Sequence, residues 1–428
     1  MERILIGDLK EYVEKEVAIA GWVSVRRDQG KMVFFDLRDR SGTVQGVVPP
    51  KSPATEAAHG VRTEFVVSVK GKVNKRPEKN VNPEAQNGDI ELEIQGIEVL
   101  SEAEIPFDLD GEVNIDTYLD HQPYTLRSER SKRVFKAQAA IIEAFRKALR
   151  ERDFVEFQTP ALTGGDAEGG AAAFKVDYYY DEKAYLATSP QLYKQVMVGA
   201  FERAFTTGKV FRGEKHATPR HLSEYSTLDF EMGFIENHVD VMDTLEELIR
   251  DIIERVPVEA PLLPAEKFPV LTLRDVQKTL GVSETEPDLE PEHERAICEW
   301  AAKKHGSDFL FVTHYPMSKR PFYTYEDENN PGYSKSFDLL FRGLEISTGG
   351  QRVHDYDELV RRLKEHGLDP EKFAFYLETF KVGMPPHGGC ATGLERFTAR
   401  LLNMPNIKEA TLFPRDMNRI DRLLRTDN

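Results

Sequence analysis

Charged and aromatic side chains able to bind a nucleotide are concentrated in one segment, VFRGEKHATPRHLSEYSTLDFEMGF at residues 210–234. Arg212 and Glu214 are two residues apart on a predicted strand, so their side chains are expected on one face of a sheet. An arginine beside a glutamate can hold a phosphate while the carboxylate accepts a hydrogen bond from a purine amino group. A cross-strand ion pair is the plainer interpretation of the same two residues, and this segment alone leaves both open.

Four further segments occur around the first one in a defined order. They are TPALTGGDAEGG at 159–170, YLATSPQLYKQ at 185–195, RPFYTYEDENNPGYSKSFDLLFRGLEISTGGQR at 320–352 and GMPPHGGCATGLERFTARLLNMPNIKEATLFPRD at 383–416. Together the five segments resemble the motifs of the class II aminoacyl-tRNA synthetases. In detail the chain is similar to the aspartyl-tRNA synthetases of subclass IIb, with a compact catalytic domain of the archaeal type.

This resemblance implies an ATP site in which two arginines hold the triphosphate, spreading the charge that develops at phosphorus. The catalytic residues it implies are Arg212, Arg396 and Glu345, and the ATP-binding residues are Arg212, Glu214, His221, Tyr225, Glu345 and Arg396. It further implies Mg²⁺ held by Asp338, Glu345 and Thr348, which offer the hard oxygen ligands that this ion prefers. Thr348 stands in EISTGGQR where the family usually has EISSGGQR, and Cys390 and Ala391 replace an aromatic residue and a glycine of the last motif.

The resemblance also implies a pocket for L-aspartate. Its residues are Glu168, Gln191, Lys194, Asp229 and Arg352, with Lys194 and Arg352 matching the cations that hold the side-chain carboxylate. Two converging cations in a partly dry pocket favour an anion and leave a neutral amide poorly paired. Glu168 lies in a glycine-rich loop suited to folding over bound substrate.

The elements that position these residues begin with a small barrel. Residues 21–80 contain 12 Lys+Arg and 6 Asp+Glu, a basic stretch inside a chain of formal charge −16. Five short alternating segments within about 90 residues predict a barrel of the oligonucleotide-binding type. The resemblance makes this barrel an anticodon-binding domain, with Phe34 stacking on the central base and Arg26, Arg27 and Gln45 near the base edges.

A larger domain is expected to follow the barrel. Residues 131–154 have the apolar spacing of an amphipathic helix, and VEFQTPAL at 155–162 is predicted as a strand. Further strands with helices between some of them favour an α+β domain on an antiparallel sheet. We therefore predict a barrel domain at 1–103, a hinge at 104–130 and a class II catalytic domain at 131–428. The helix before Pro160 resembles the motif through which this class forms homodimers.

The composition of the chain argues against a secreted, disulfide-bonded protein and against a membrane protein. The chain has 428 residues and only two cysteines, Cys298 and Cys390, which excludes a disulfide scaffold and a Cys-rich zinc site. No apolar run approaches the roughly 18 residues of a membrane helix, and the N-terminus is too acidic for a secretory signal. A cytoplasmic enzyme without a membrane partner is the expectation.

The predicted function is ATP-dependent ligation of L-aspartate to tRNA-Asp through aspartyl-adenylate, with tRNA-Asn left open as a further acceptor. One alternative is an asparaginyl-tRNA synthetase, which Lys194 and Arg352 oppose. Another is a paralogue that makes asparagine from aspartate without tRNA, which the intact barrel opposes. A third is a catalytically inactive RNA-binding module, which the retention of Arg212, Glu214, Glu345 and Arg396 opposes.

Overall fold

The computed structural model describes residues 2–109, 111–165, 173–256, 262 and 266–420. The chain forms two compact units, Met1–Glu112 and Val113–Asn428, so the expected hinge at 104–130 spans the boundary between them. None of the helices within the described ranges is long and apolar enough to cross a lipid bilayer.

Five strands of the first unit close into a barrel in the order β1-β2-β3-β5-β4. The strands are β1 (Glu16–Gln29), β2 (Met32–Asp39), β3 (Gly42–Val48), β4 (Val66–Lys75) and β5 (Ile90–Ser101), and α1 (Thr55–Gly60) connects β3 to β4. Neighbouring strands are antiparallel except β3 and β5, which are parallel. The five-stranded barrel expected from the sequence is therefore confirmed.

Alternation along β2 decides which of two adjacent phenylalanines enters the barrel core. Phe35 is fully buried with the aliphatic residues of the other strands, whereas Phe34 is only partly buried. Successive side chains of a strand point to opposite faces, so burial of Phe35 places Phe34 on the outer surface. An aromatic ring on that surface can contact an unpaired base.

The second unit is built on an eight-stranded sheet of order β12-β13-β14-β15-β16-β11-β10-β6, and a small sheet of order β7-β9-β8 lies apart from it. The strands are β6 (Val155–Glu156), β7 (Leu162–Thr163), β8 (Lys175–Asp177), β9 (Lys183–Leu186), β10 (Arg203–Phe211), β11 (Glu224–Gly233), β12 (Val270–Thr272), β13 (Phe309–Thr313), β14 (Ser336–Phe341), β15 (Leu344–Arg352) and β16 (His387–Gly393). The central strands are antiparallel, as predicted. Only the outermost pairs, β12 with β13 and β10 with β6, are parallel.

Helices flank the large sheet. They are α2 (Ile115–Asp120), α3 (Gln122–Thr125), α4 (Glu129–Arg150), α5 (Gln191–Phe201), α6 (His238–Arg255), α7 (Leu273–Leu280), α8 (Pro291–His305), α9 (Tyr356–Glu365), α10 (Ala374–Lys381) and α11 (Leu394–Leu401). The amphipathic helix predicted at 131–154 is α4, which Ser128 caps by accepting a hydrogen bond from the backbone N–H of Ser131. Its apolar face packs with α6 against the sheet in one continuous core.

Two connections differ from the sequence-based expectation. The strand predicted at 155–162 is interrupted, because β6 ends at Glu156 and β7 begins at Leu162. Pro160 lies between them and has no N–H to donate to a neighbouring strand. The expected hinge contains the two short helices α2 and α3, and the Gln122 amide donates to the Thr411 carbonyl at 2.9 Å. Long-range polar contacts of this kind leave no periodic signal in the sequence.

Candidate active site and nucleic-acid interface

A cleft of about 160 Å³ lies among the β10–β11 connection, β15 and the start of α11. It is lined by all six residues that the resemblance assigns to ATP: Arg212, Glu214, His221, Tyr225, Glu345 and Arg396. The antiparallel pairing of β15 with β16 and of β16 with β11 brings these distant segments together. The sheet order thus assembles one site from three separate motifs.

The cation at one side of the cleft, Arg212, follows directly after β10. Its backbone N–H donates to the Ser223 carbonyl at 2.8 Å, and its guanidinium lies 5.9 Å from the centroid of the Tyr225 ring. The strand ends at Phe211, so the prediction that Arg212 and Glu214 share a strand face is wrong. They lie in the connection instead, where both still line the cleft.

The second cation, Arg396, lies in the first turn of α11. Its Nη1 donates to the Glu345 carbonyl oxygen at 3.1 Å and lies 3.5 Å from Oε2 of the same residue. Burial raises the pKa of Glu345, the charge of Arg396 opposes this rise, and the nearby Asp338 and Glu294 carboxylates add to it. The raised pKa means that the ionised form of Glu345 is not fully compensated by Arg396. A further cation bound beside Glu345 would stabilise its negative charge.

His221 also lines the cleft, near this cation. Its Nδ1 is 2.6 Å from the Thr218 hydroxyl. Burial, followed by the positive charge of Arg396, lowers the pKa of His221. The imidazole is therefore neutral at pH 7, and it can donate an N–H to a phosphate without adding charge.

The three residues that the resemblance assigns to Mg²⁺ lie on β14 and β15. Asp338 pairs with Thr348 across these strands, and Glu345 is three residues before Thr348. A partly buried arginine, Arg320, donates to Asp338 Oδ2 at 2.9 Å and to the Thr348 hydroxyl at 3.3 Å. Arg320 has no predicted role, because no hydrophobic or charge periodicity marks it in the sequence.

The donor set fits a magnesium ion that takes most of its ligands from phosphate and water. Among the described residues, no cluster of three His, Cys, Asp or Glu side chains could hold a metal by itself. Within the same residues, however, Oδ1 of Asp338 is buried and accepts no hydrogen bond, so one hard oxygen remains available. Few protein ligands and several retained waters are usual for Mg²⁺ at phosphate-binding sites.

A second, fully buried group of charges lies further along the same three strands, β11, β16 and β15. Lys194 is 1% exposed, and its Nζ lies 3.0 Å from Asp229 Oδ1 and 3.3 Å from Glu231 Oε2. It also donates to the Cys390 carbonyl at 3.3 Å. Burial opposes the charge of Lys194, but the two carboxylates raise its pKa, so the amine stays protonated.

Arg352 completes this group from the end of β15. Its Nε donates to Glu231 Oε1 at 2.8 Å, and its Nη2 donates to the Gly389 carbonyl at 2.9 Å. Nη2 also lies 3.5 Å from Gln191 Oε1. The structure thus brings Gln191, Lys194, Asp229 and Arg352 together, as the resemblance implies, whereas Glu168 lies outside the described residues.

Glu231 belongs to this pocket as well, although it is not among the predicted site residues. It is fully buried between both cations. Its position two residues after Asp229 on β11 puts both carboxylates on one face, a signal that was present in the sequence. Asp229 and Glu231 balance the charges of Lys194 and Arg352, so selection must depend on the directions in which hydrogen-bond donors and acceptors point.

Close packing of β16 against β11 sets the distances in this pocket. A Cβ atom on Gly389 would lie 2.2 Å from the Phe230 carbonyl oxygen and 2.3 Å from Glu231 Oε2. Cys390 is fully buried beside it, and burial raises the pKa of its thiol well above the usual range. Cys390 is therefore a packing residue, and its carbonyl accepts a hydrogen bond from Lys194.

The outer surface of the barrel carries the residues expected to read bases. Phe34 pairs with Arg27 on one side and with Val47 on the other, while Asp36 pairs with Gln45. Arg27 donates to both Asp36 oxygens, at 2.9 and 2.8 Å. Arg27, Phe34 and Gln45 therefore share the outer face.

The other arginine of this pair is placed differently. Arg26 pairs across the strands with buried Phe35 and lies 2.9 Å from Asp28. Since adjacent residues of a strand point to opposite faces, Arg26 is separated from the Phe34 surface.

Comparison with known proteins supplies independent information. Residues 114–417 match the family described as tRNA synthetases class II (D, K and N), and residues 17–100 match the OB-fold nucleic acid binding domain. The chain is 44% identical to the aspartate--tRNA(Asp/Asn) ligase of Thermus thermophilus, over 98% of this chain and 99% of that protein. It is 38% identical to the aspartate--tRNA(Asp) ligase of Pyrococcus abyssi, over 95% and 96% of the two chains.

A solved structure has a similar fold over the whole chain. The asparaginyl-tRNA synthetase of Pyrococcus horikoshii complexed with asparaginyl-adenylate matches with a TM-score of 0.89 at 30% identity. The match covers 98% of this chain and 99% of that chain. The barrel and the catalytic sheet therefore both occur in solved relatives.

Proposed function

Since this chain belongs to the class II tRNA synthetases of the D, K and N group, we propose that it ligates L-aspartate to tRNA-Asp in an ATP-dependent reaction. The observation that carries the choice of amino acid is the buried group formed by Lys194, Asp229, Glu231 and Arg352 beside the cleft. Aspartate carries an ammonium group and a side-chain carboxylate, so it offers one partner to the acids and one to the cations. Asparagine would leave the cations poorly paired.

In the first step, an oxygen of the aspartate α-carboxylate attacks the α-phosphorus of ATP. The bond from that phosphorus to the bridging oxygen of the β-phosphate breaks, and pyrophosphate leaves with the electron pair. Arg212 stabilises the charge at the α-phosphate and Arg396 holds the γ-phosphate, while Glu214 and Tyr225 position adenine. No general base is required because the nucleophile is already ionised, so positioning and electrostatics supply the rate.

Bound Mg²⁺ would neutralise charge on the outer phosphates, with Glu345, Asp338 and Thr348 as the residues that hold it. Arg320 keeps the Asp338 and Thr348 side chains oriented through its two hydrogen bonds.

In the second step, a hydroxyl of the terminal ribose of tRNA attacks the carbonyl carbon of aspartyl-adenylate. The ester bond to the 3′ end forms and the mixed anhydride bond breaks, so AMP leaves with the electron pair while the hydroxyl proton passes to its phosphate. The barrel contributes by holding the anticodon, with Phe34 stacking on a base and Gln45 and Arg27 at its edges.

A second candidate acceptor is tRNA-Asn. Relatives at 44% and 38% identity, from Thermus thermophilus and Aeropyrum pernix, are named aspartate--tRNA(Asp/Asn) ligases. The Pyrococcus abyssi relative, also at 38% identity, is named for tRNA-Asp alone. The names of the relatives are therefore compatible with charging of tRNA-Asp alone and with charging of both tRNA-Asp and tRNA-Asn.

The deciding experiment is aminoacylation with labelled aspartate, using tRNA-Asp and tRNA-Asn transcripts in parallel and labelled asparagine as the control. Charging of tRNA-Asp with aspartate supports the proposal, and charging of both transcripts supports the wider acceptor range. Transfer of asparagine instead of aspartate would contradict the role given to Lys194 and Arg352.

We further propose a homodimer in the cytoplasm. Strand β6 is the edge of the large sheet, and Val155 on it is 40% exposed, so a second copy could cover this edge. Both cysteines are free, which suits a reducing compartment. Analytical ultracentrifugation tests the dimer, and a monomer at micromolar concentration would contradict it.

A further inference from the structure

A chain of buried hydrogen bonds runs from β16 to α5 and ends at Gln191 in the proposed aspartate pocket. His387 begins β16 and is fully buried, and its Nδ1 lies 2.9 Å from the Pro385 carbonyl oxygen. Its Nε2 lies 2.8 Å from the side-chain nitrogen of Gln195, which is fully buried as well. The Gln195 oxygen in turn lies 3.2 Å from the side-chain nitrogen of Gln191. The function described so far uses Gln191 but neither His387 nor Gln195.

We propose that His387 is a specificity-positioning residue: through Gln195 it holds the side-chain oxygen of Gln191 toward the ligand, where that oxygen selects an amino acid by its ammonium group. The proposal rests on the function given above, in which the pocket binds aspartate. It adds the residues that fix one polar contact of that substrate.

The position of the proton on the His387 ring sets the direction of the chain. A carbonyl oxygen only accepts hydrogen bonds, so the contact with Pro385 requires the proton on Nδ1. Burial lowers the pKa of His387 to about 4, so the ring carries a single proton at pH 7. Nε2 then has a lone pair and no hydrogen, and it accepts. The group that Gln195 directs at His387 must therefore be its NH₂.

The orientation of Gln195 decides that of Gln191. With its NH₂ directed at His387, Gln195 accepts with its oxygen from the Tyr376 hydroxyl at 3.0 Å and from the Gln191 NH₂ at 3.2 Å. Burial raises the pKa of Tyr376 well above its usual value, so the hydroxyl keeps its proton and can donate. Rotating the Gln195 amide by 180° would oppose two NH₂ groups at one end and two acceptors at the other.

Two further contacts of the Gln191 amide agree with this orientation. Gln191 and Gln195 are four residues apart on α5, so their side chains lie on one face of the helix. The Gln191 NH₂ also lies 3.4 Å from Glu231 Oε1, and the Gln191 oxygen lies 3.5 Å from Arg352 Nη2. The contact with Gln195 is the shortest of the three, so the His387–Gln195–Gln191 chain is the main constraint on this amide.

The oxygen of Gln191 defines which group of the ligand is recognised. An amide oxygen has two lone pairs, so it can accept a second hydrogen bond beside the long contact with Arg352. Both carboxylates of aspartate only accept, and the ammonium group is the donor that aspartate offers. The Gln191 oxygen is therefore complementary to the ammonium group, whereas an NH₂ in its place would oppose that group.

The test measures ATP–pyrophosphate exchange in wild type and in His387→Met, which offers no comparable acceptor to the Gln195 NH₂. The KM for aspartate is expected to rise by about 10-fold, the effect of one buried donor left unpaired, with little change in kcat or in the KM for ATP. Succinate, which is aspartate without its amino group, serves as a competitive inhibitor. Its inhibition constant is expected to stay at the wild-type value, because it does not use the Gln191 oxygen. A general loss of structure would weaken both ligands alike.

Two further variants separate the hydrogen bond from packing. In His387→Gln the new amide oxygen can accept from Gln195 in place of Nε2, so the KM for aspartate is expected to return to within about threefold of wild type. His238→Met is the matched control, because His238 is also a buried histidine with a pKa lowered to about 4, but it begins α6 and its ring contacts His314. It is expected to bind both ligands as wild type does.

Three results would overturn the proposal. They are a wild-type ratio of the succinate and aspartate constants in His387→Met, an equal loss in His387→Gln, and an equal loss in His238→Met. A wild type that activates asparagine instead of aspartate would contradict the proposed function instead.

Neutron diffraction from deuterated wild-type crystals tests the chain without any variant, and so covers the case in which His387→Met does not fold. Deuterium is expected on Nδ1 of His387 and not on Nε2, with the Gln195 and Gln191 nitrogens placed as described. Deuterium on Nε2, or a reversed amide at either glutamine, would overturn the assignment whichever amino acid the enzyme activates.

Discussion

Glu231 and Arg352 form a buried ion pair in which Oε1 of the glutamate lies 2.8 Å from Nε of the arginine. Glu231 is shared with Lys194, whose Nζ lies 3.3 Å from its other oxygen. Burial opposes ionisation of Glu231, yet the charges of Arg352 and Lys194 hold its pKa below the usual value. One carboxylate therefore sets the orientation of both cations proposed to bind the aspartate side chain.

Replacing Glu231 by glutamine removes this shared charge while keeping the shape of the side chain. Breaking a buried pair by removing one partner typically costs about 3–5 kcal/mol, because the remaining charge loses its compensation. We expect Glu231→Gln to reduce kcat/KM for aspartate in ATP–pyrophosphate exchange by at least about 100-fold. Glu236→Gln, at an exposed position after the same strand, is the control. Equal exchange activity in the two variants would contradict the role of Glu231.

The close approach of β16 to β11 predicts that Gly389 tolerates no side chain. In Gly389→Ala the new Cβ would lie 2.2 Å from the Phe230 carbonyl oxygen, so the strands or Glu231 must move. Overpacking of this kind typically costs about 1–3 kcal/mol. We expect weaker aspartate binding and a lower melting temperature, measured by isothermal calorimetry and thermal unfolding.

Gly208 supplies the control for this change. It lies on β10, and a Cβ there would meet no atom within 4 Å. Gly208→Ala should leave aspartate binding unchanged. If both variants bind aspartate as wild type does, the strands are not as closely packed as described.

The proposed division of work between barrel and catalytic unit predicts two separable defects. Arg396→Ala should abolish formation of aspartyl-adenylate, because it removes the cation that lies beside Glu345 in the cleft. Phe34→Ala should leave ATP–pyrophosphate exchange intact and weaken tRNA charging, with a loss of stacking of about 1–3 kcal/mol. Loss of both activities to the same degree in Phe34→Ala would contradict this division.

A buried neutral histidine predicts acid sensitivity. Burial lowers the pKa of His387 to about 4 from its ordinary 6.5, and its ring lies 2.8 Å from the Gln195 amide nitrogen and 2.9 Å from the Pro385 carbonyl. The folded state binds the proton less readily than the unfolded state. Stability is therefore fully present above pH 6.5 and is lost as pH falls toward 4.

The expected loss is on the order of 2 kcal/mol between pH 6.5 and pH 5. Thermal unfolding measured across this range checks it. His387→Gln should show a shallower dependence on pH than wild type, and the exposed His59→Gln should match wild type. Identical slopes in wild type and His387→Gln would refute the assignment.

Local patterns were sufficient for the barrel and for the order of elements. The alternation of β2 requires one of Phe34 and Phe35 to be buried, and the apolar spacing after Ser131 specifies α4. Local sequence pattern was insufficient to predict the elements that depend on polar contacts between distant parts of the chain. The helices within the expected hinge and the end of β10 before Arg212 were both missed for this reason.

The sequence by itself determined the types of chemical group available: arginines for phosphate, carboxylates for an ammonium group or a metal, and an aromatic ring for a base. Tertiary structure decided how those groups are paired. Glu231 with Arg352, Arg320 with Asp338 and Arg76 with Gln45 are pairs separated by 121, 18 and 31 positions. Such pairs depend on strand order and burial, which bring side chains into contact without any periodic trace in the chain.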